Sequence, residues 1–337
     1  MRKVLFLVVI IAIVFIAGCK DEEDVGKDNE KGDDKNAAYA LTGLSADGAT
    51  DNRMVAVMVN NHPKARPQTG LSQADIVFEM LAEGNITRFL ALYQSELPDV
   101  IGPVRSAREY YFDLAQGYNA IYVHHGAADF INQKMKDKGI DHLNGSLYDN
   151  DGNLFKREVF RKAPHNSYLQ TDAIYEIAEE KGYDVTATYE SLPFLETDAE
   201  IAGSPAPKVT VSYANNPNEM IQYIFKEDSG TYKRYNGEQQ TVEMDTEEPI
   251  EISNVFIIEA SHQVIDQEGR RAIDLESGGE AYLLQNGVMQ EIQWENRAGR
   301  IIPVKNNKEV PFVPGKTWVN VIPQQPGLQD IVTISID

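Results

Sequence analysis

The sequence predicts an α+β protein in two parts. Residues 47–190 read as a layered α/β domain with a mixed sheet, and residues 209–337 as a second, mostly antiparallel β domain. Three observations carry this reading. Strand-like and helical runs alternate before residue 190. Residues 191–208 then hold Pro193, Gly203, Pro205 and Pro207 among several acids, the composition of a linker. Beyond it lie short strand-like runs separated by turns such as Asp228-Ser229-Gly230, Asn236-Gly237 and Asn286-Gly287.

Arg2 and Lys3 precede an apolar run from Val4 to Ala17, followed by Gly18-Cys19. A positive start, a short apolar core and small residues at the break describe a secretory signal over residues 1–18. The apolar run is short for a membrane span. Ile16-Ala17-Gly18-Cys19 resembles a bacterial lipobox, whose cysteine becomes the lipidated N-terminus. Cys19 is the one cysteine in the chain, so an intramolecular disulfide, a cysteine nucleophile and a thiolate metal site are excluded from the folded part. Residues 19–46 are polar, acidic and rich in Gly and Asn. They read as a flexible tether holding the body off the membrane.

Met54 to Asn60 is valine-rich and reads as a buried strand, with the polar residues Asn60, Asn61, His62, Lys64 and Arg66 after it. Asp75 to Glu83 and Ile86 to Ser95 form a hairpin across Gly84-Asn85. That turn pairs Glu83 with Ile86, Leu81 with Arg88 and Glu79 with Leu90. Glu79, Glu83 and Arg88 then share one largely apolar face, where each charge needs a partner or a ligand.

Ser106 and Glu109 have capping-box spacing, which predicts a helix from Ser106 to about Gln116. Arg105 and Arg108 would flank its N-terminus, where free N–H groups and the dipole favour an anion. Such arginines either recognise an anionic ligand or pair internally with Glu79, Glu83, Glu96 or Asp99. Ala120 to His125 reads as a strand with His124 and His125 on opposite faces, so the pair does not make a two-histidine metal clamp. Asp129 to Lys138 reads as a helix, Ser146 to Arg161 as a hairpin, and Thr171 to Lys181 as a helix after the polar loop bearing His165 and Asn166. The Asp149–Asn153 turn suggests calcium only superficially. An EF-hand frame centred on Gly152 puts Leu147 at the first ligand position. Strand-like runs follow at Val209–Tyr213, Ile221–Phe225, Thr231–Tyr235, Val255–Glu259, Ala281–Gln285, Met289–Trp294 and Trp318–Ile322. Trp294 and Trp318 read as core.

The net charge is −21, which argues against nucleic acid as a partner and against broad docking on anionic lipid. Against that sign the arginine cluster is a local exception.

ARPQTGLSQAD, EGNITRFLALYQ, IGPVRSAR, YVHHG and APHNSYL, with AYLLQNG and PGKTWVNVIP in the tail, resemble the YerB-like family of bacterial lipoproteins. The resemblance covers nearly all of the mature body. It implies a two-domain α+β architecture and a lipoprotein anchored on the extracytoplasmic face of the cell membrane. It transfers no catalytic residues.

Two functional readings follow. The first is a non-catalytic, lipid-anchored module that binds an anionic cell-wall ligand or a wall-synthesis protein through Arg66, Arg88, Arg105, Ser106, Arg108 and Asn166, with no cofactor or metal. No G-x-S-x-G, H-E-x-x-H, P-loop or G-x-G-x-x-G motif stands in a suitable context. The second is an envelope hydrolase using Glu79 or Glu83 with His124 or His165, its arginines stabilising developing charge. A metal-dependent form would need His62, His124 or His165 to converge.

Overall fold

The computed structural model describes residues 37–196, 199–213 and 220–336. The signal segment, Cys19 and the tether up to residue 36 lie outside these residues. The predicted α+β build is the observed one, and a single mixed sheet draws strands from both halves of the chain.

Its first strands are β1 (Val55–Asn60), β2 (Ile76–Glu83) and β3 (Ile86–Tyr93). β1 is buried along its whole length, which explains its unbroken apolar run. It lies between β3, antiparallel, and Ile121–His124, parallel; His142–Asn144 extends that edge in parallel. On the other side, β2 runs parallel to Thr317–Pro323, which is parallel in turn to Asn254–Ala260. Gly279–Gln285, Val288–Arg297, Arg300–Lys305 and Lys308–Glu309 continue the sheet antiparallel.

Both faces are covered. Helices α1 (Glu109–Gly117) and α2 (Asp129–Asp137) lay Tyr110, Tyr111, Phe112, Ile131 and Met135 over one face, against Phe78, Met80 and Leu90. The opposite face carries α3 (Ile174–Glu180) and a small sheet of Val100–Ile101, Phe155–Arg157 and Ser167–Gln170. A second antiparallel sheet, from residues 208–252 and Val332–Ser335, lies over the same face.

The structure departs from the sequence expectations at five places. The hairpin turns at Gly84-Asn85 and pairs Glu83 with Ile86, but a bulge at Ala82 shifts the register beyond it. Leu81 faces Thr87, Met80 faces Arg88 and Glu79 faces Phe89. One inserted residue moves every later side chain of its strand to the other face. Arg88 and Glu79 therefore lie on opposite sides of the sheet.

Helix α1 starts at Glu109, with Arg108 in extended conformation at its cap, so Ser106 caps nothing. Residues 39–42, expected in the tether, are buried against the body. Within the expected linker, Leu192 and Ala206 are buried and Ser204–Pro205 pairs with Val288–Met289. The strand Phe155–Arg157 pairs with Ser167–Gln170 across residues 158–166, rather than forming a hairpin with Ser146 onward. At the Asp149–Asn153 turn, one carboxylate oxygen of Asp151 accepts the N–H groups of Asn153, Leu154 and Phe155, as a turn acid does.

Candidate functional site

β1 and Ile121–His124 are parallel neighbours, and polar loops leave both at their carboxyl ends. Open α/β sheets gather ligands at such ends. Residues 102–107 run back across them. Asn60 N–H donates to Pro103 O, Arg105 N–H to Met58 O, and His125 N–H to Arg105 O. Arg105 is thus held by its backbone between the two strand ends.

Its guanidinium is partly buried, and among the described residues no side chain or carbonyl satisfies it. Burial, and then the like charge of Arg88, pushes its pKa down to about 10. Around it stand two imidazoles whose protonation its positive charge disfavours. His165 contacts Asn60 (Nδ1 to Nδ2, 2.9 Å) and stacks on His62 with ring centroids 4.6 Å apart. Desolvation first, then His62, Arg105, Lys64 and Arg161, lower the basicity of His165. His125 is lowered by desolvation and Arg157, with Asp149 opposing and Arg105 adding a smaller push. Two hydroxyls lie over Gly126, just past the end of Ile121–His124. A Cβ there would stand 3.2 Å from Ser146 Oγ and 4.0 Å from Ser106 Oγ, at φ +78°. An arginine with no acid of its own among the described residues, beside imidazoles and hydroxyls, suits an anion, although Asp149 lies 4.0 Å from His125.

The other predicted residues have different neighbours. Arg88 and Arg108 are buried and converge on Glu83: Arg88 Nη2 lies 2.7 Å from Oε2, and Arg108 pairs with Oε1. Arg88 also donates to Ser106 O at 3.0 Å. The local carboxylate therefore answers these two arginines. Arg66 donates to Asn61 O and Oδ1. Asn166 accepts from Arg157 Nη1 at 3.0 Å and donates to Glu158 O at 3.2 Å.

Glu79 corrects the expectation most sharply. It is fully buried and its partner is Arg234, also fully buried, with Nη2 at 2.9 and 3.0 Å from its two oxygens. Trp318 Nε1 (2.9 Å), Thr87 Oγ1 (2.8 Å), Asn61 Nδ2 and Asn320 Nδ2 (both 3.3 Å) complete its shell. The guanidinium of Arg234 lies 4.9 Å from the Trp318 ring and 5.5 Å from that of Phe89. A carboxylate sealed in this way has no face for a substrate. His124 is sealed likewise: it touches Gly126 O and His142 Nδ1, and burial pushes its pKa down to about 3. Neither can serve the hydrolytic reading in this conformation. His62 stacks on His165, but His124 stacks between Tyr122 and His142 and does not join them.

The sequence reading overlooked Arg234 and Asn320, and gave His125 a strand position but no role at a site. Their signal is tertiary: Arg234 sits in an ordinary alternating strand, and nothing local marks its partner. His125 contacts Ser167 Oγ at 2.7 Å and lies 4.0 Å from Asp149. That order suggests a nucleophile relay, but Ser167 is 3% exposed and cannot reach a substrate. A separate cleft of about 1050 Å³ lies elsewhere, bordered by Glu96, Asp99, Glu248 and Glu251. Its wall acid Glu243 is engaged by Gly70 N–H, Ser72 N–H and Ser72 Oγ. Its charge is wrong for an anion.

A family model described as "Protein of unknown function (DUF3048) N-terminal domain" matches residues 41–184, and its C-terminal-domain counterpart matches residues 209–319. A protein of Bacillus subtilis (strain 168) described as "Putative lipoprotein YerB" is 48% identical over 285 residues, which cover 84% of this chain and 85% of the relative. The crystal structure of the YerB protein from Bacillus subtilis matches with a TM-score of 0.81 at 45% identity, over 89% of this chain and 99% of that one.

Proposed function

The chain belongs to the DUF3048 family of proteins of unknown function, and on that footing we propose that it is a lipid-anchored module binding an anionic cell-envelope group at Arg105. The acyl group sits on Cys19 and the body stands on the extracytoplasmic face of the membrane. The lipobox-like run and the description of the Bacillus relative as a lipoprotein support this placement. The two family matches, ending at 184 and resuming at 209, support a division into two domains around residues 191–208.

One observation carries the binding reading. Among the described residues Arg105 keeps a half-buried positive charge with no acid to answer it, on a chain with 52 acidic residues against 31 Lys and Arg. A desolvated cation without a counter-charge is costly in a structure that gains nothing from it. Arg66, Ser106 and Asn166 border the same loops and would orient the ligand. Arg88 and Arg108 would act behind them, through Glu83. The ligand is a carboxylate or phosphate carried on a wall polymer or on a wall-synthesis protein.

Full-length protein in detergent, titrated with pyrophosphate and separately with citrate, tests this through the imidazole C–H resonances of His62 and His165. Binding shifts both, and Arg105→Gln abolishes the shifts. The melting temperature of the variant should move by less than about 2 °C, the response of a large domain to under 1 kcal/mol. Equal binding by wild type and variant, or unfolding of the variant, would remove the site.

A further inference from the structure

Residues 156–165 form a conspicuous surface outside the Arg105 site. Val159 is 97% exposed and Phe160 54%, while Leu147 on the neighbouring loop is 73% exposed. Lys156, Arg157, Arg161 and Lys162 flank the pair against two acids, Glu158, 2.8 Å from Lys156, and Asp149, 2.6 Å from Arg157, which leaves a local surplus of two positive charges on a chain of net −21. The loop is built rather than loose. Glu158 N–H donates to Asn166 O and His165 N–H to Lys162 O. Arg161 donates to Tyr168 Oη at 2.7 Å and to Pro67 O at 2.5 Å, and its guanidinium lies 5.5 Å from the Phe160 ring. Tyr168 flanks that ring at 5.7 Å. The fold therefore holds an aromatic and a β-branched side chain out into solvent.

We propose that this loop seats on the anionic lipid surface of the membrane that carries the chain. An apolar tip ringed by lysine and arginine suits the headgroup boundary, where the tip enters and the cations meet phosphate. The acidic remainder of the body is repelled from the same surface, so the loop also selects an orientation. That orientation brings the Arg105 site, whose His165 belongs to this loop, near the headgroups. The inference rests on the anchor at Cys19. Seventeen residues separate that cysteine from Ala37, a span of at most about 60 Å when fully extended. A tethered loop meets its surface at high effective concentration, so weak contact suffices.

Lipidated full-length protein bearing Phe160→Trp, reconstituted in vesicles containing brominated lipid, tests the docking. The native Trp294 and Trp318 are each 1% exposed and stay out of reach of the quencher. In phosphatidylglycerol vesicles the emission of the F160W protein is quenched, and in phosphatidylcholine vesicles it is not. Lys156→Glu with Lys162→Glu abolishes the quenching while the protein still floats with the vesicles. Unquenched emission from protein that floats with anionic vesicles overturns the proposal and leaves the loop to a protein partner. Protein that fails to float shows the anchor reading to be wrong. In that case salt-sensitive quenching at high anionic lipid upholds the docking, and none overturns it.

Discussion

Single side chains decide what this molecule can do, and the buried ones were the hardest to foresee. Glu79 is legible as a charge in an apolar strand, and the rule that it needs a partner holds. Its partner is not legible, because Arg234 lies 155 positions away and joins it only when the second sheet closes over the first. Arg234→Met strands the carboxylate among neutral donors and should cost about 3–5 kcal/mol, read as a drop in the urea midpoint. Adding Glu79→Gln to that variant should return part of the loss. Arg105 was legible as a cation beside an expected helix start, whereas its place between two strand ends and its isolation from acids among the described residues required coordinates.

His124 carries the pH dependence. Tyr122, His142 and Gly126 O pack around it, and its folded pKa lies near 3 against about 6.5 when unfolded. The unfolded chain takes up its proton first. This contribution is therefore complete above about pH 6.5 and fades as pH falls toward 3. His262, pushed down to about 4 by burial, acts in the same direction, and Asp75, raised by burial, opposes it. The urea midpoint should fall between pH 7 and pH 5, and His124→Asn should flatten that fall.

At the scale of elements, periodicity located most strands and helices but not their registers. The residues around Gly84-Asn85 announce a hairpin. They do not announce the bulge at Ala82, because a bulge is an extra residue accommodated by packing on both faces. Its consequence is a division of labour: Glu79 serves one side of the sheet, and Arg88 reaches Glu83 on the other. Glu83→Gln should leave Arg88 and Arg108 without their common counter-charge and cost about 2 kcal/mol in chemical denaturation. The capping-box pattern at Ser106 misled for a related reason. The Ser106 carbonyl is taken by Arg88, and residues 103–107 are held by backbone bonds to β1 and to His125-Gly126.

Gly117 ends α1 against the turn at Gly299. A Cβ on Gly117 would stand 2.3 Å from Gly299 O and 2.5 Å from its Cα. Gly117→Ala removes a helix-destabilising residue, a gain of up to about 1 kcal/mol. The clash costs more, about 1–3 kcal/mol. Scanning calorimetry should therefore find the variant less stable.

Across the whole molecule, composition and the shift in pattern near residue 191 indicated two parts of different character, and two family matches fall on either side of it. What the sequence hides is that both parts share one sheet. Thr317–Pro323 inserts between β2 and Asn254–Ala260, parallel to each. Parallel pairing between distant segments leaves no hairpin signal. Residues 37–190 expressed alone would expose the β2 edge and should aggregate, while coexpression with residues 199–337 should yield a soluble complex. Size-exclusion chromatography distinguishes the two outcomes. An N-terminal fragment that stays monomeric and folded would show that the shared sheet is dispensable.

The same insertion sets a schedule for synthesis. Ile76 leaves the ribosome long before Thr317, so β2 waits with one side unfilled until the tail arrives. Non-local pairing of this kind is slow. During the wait a neighbouring copy can donate its own late strand, which makes intertwined dimers the characteristic error of crowded expression.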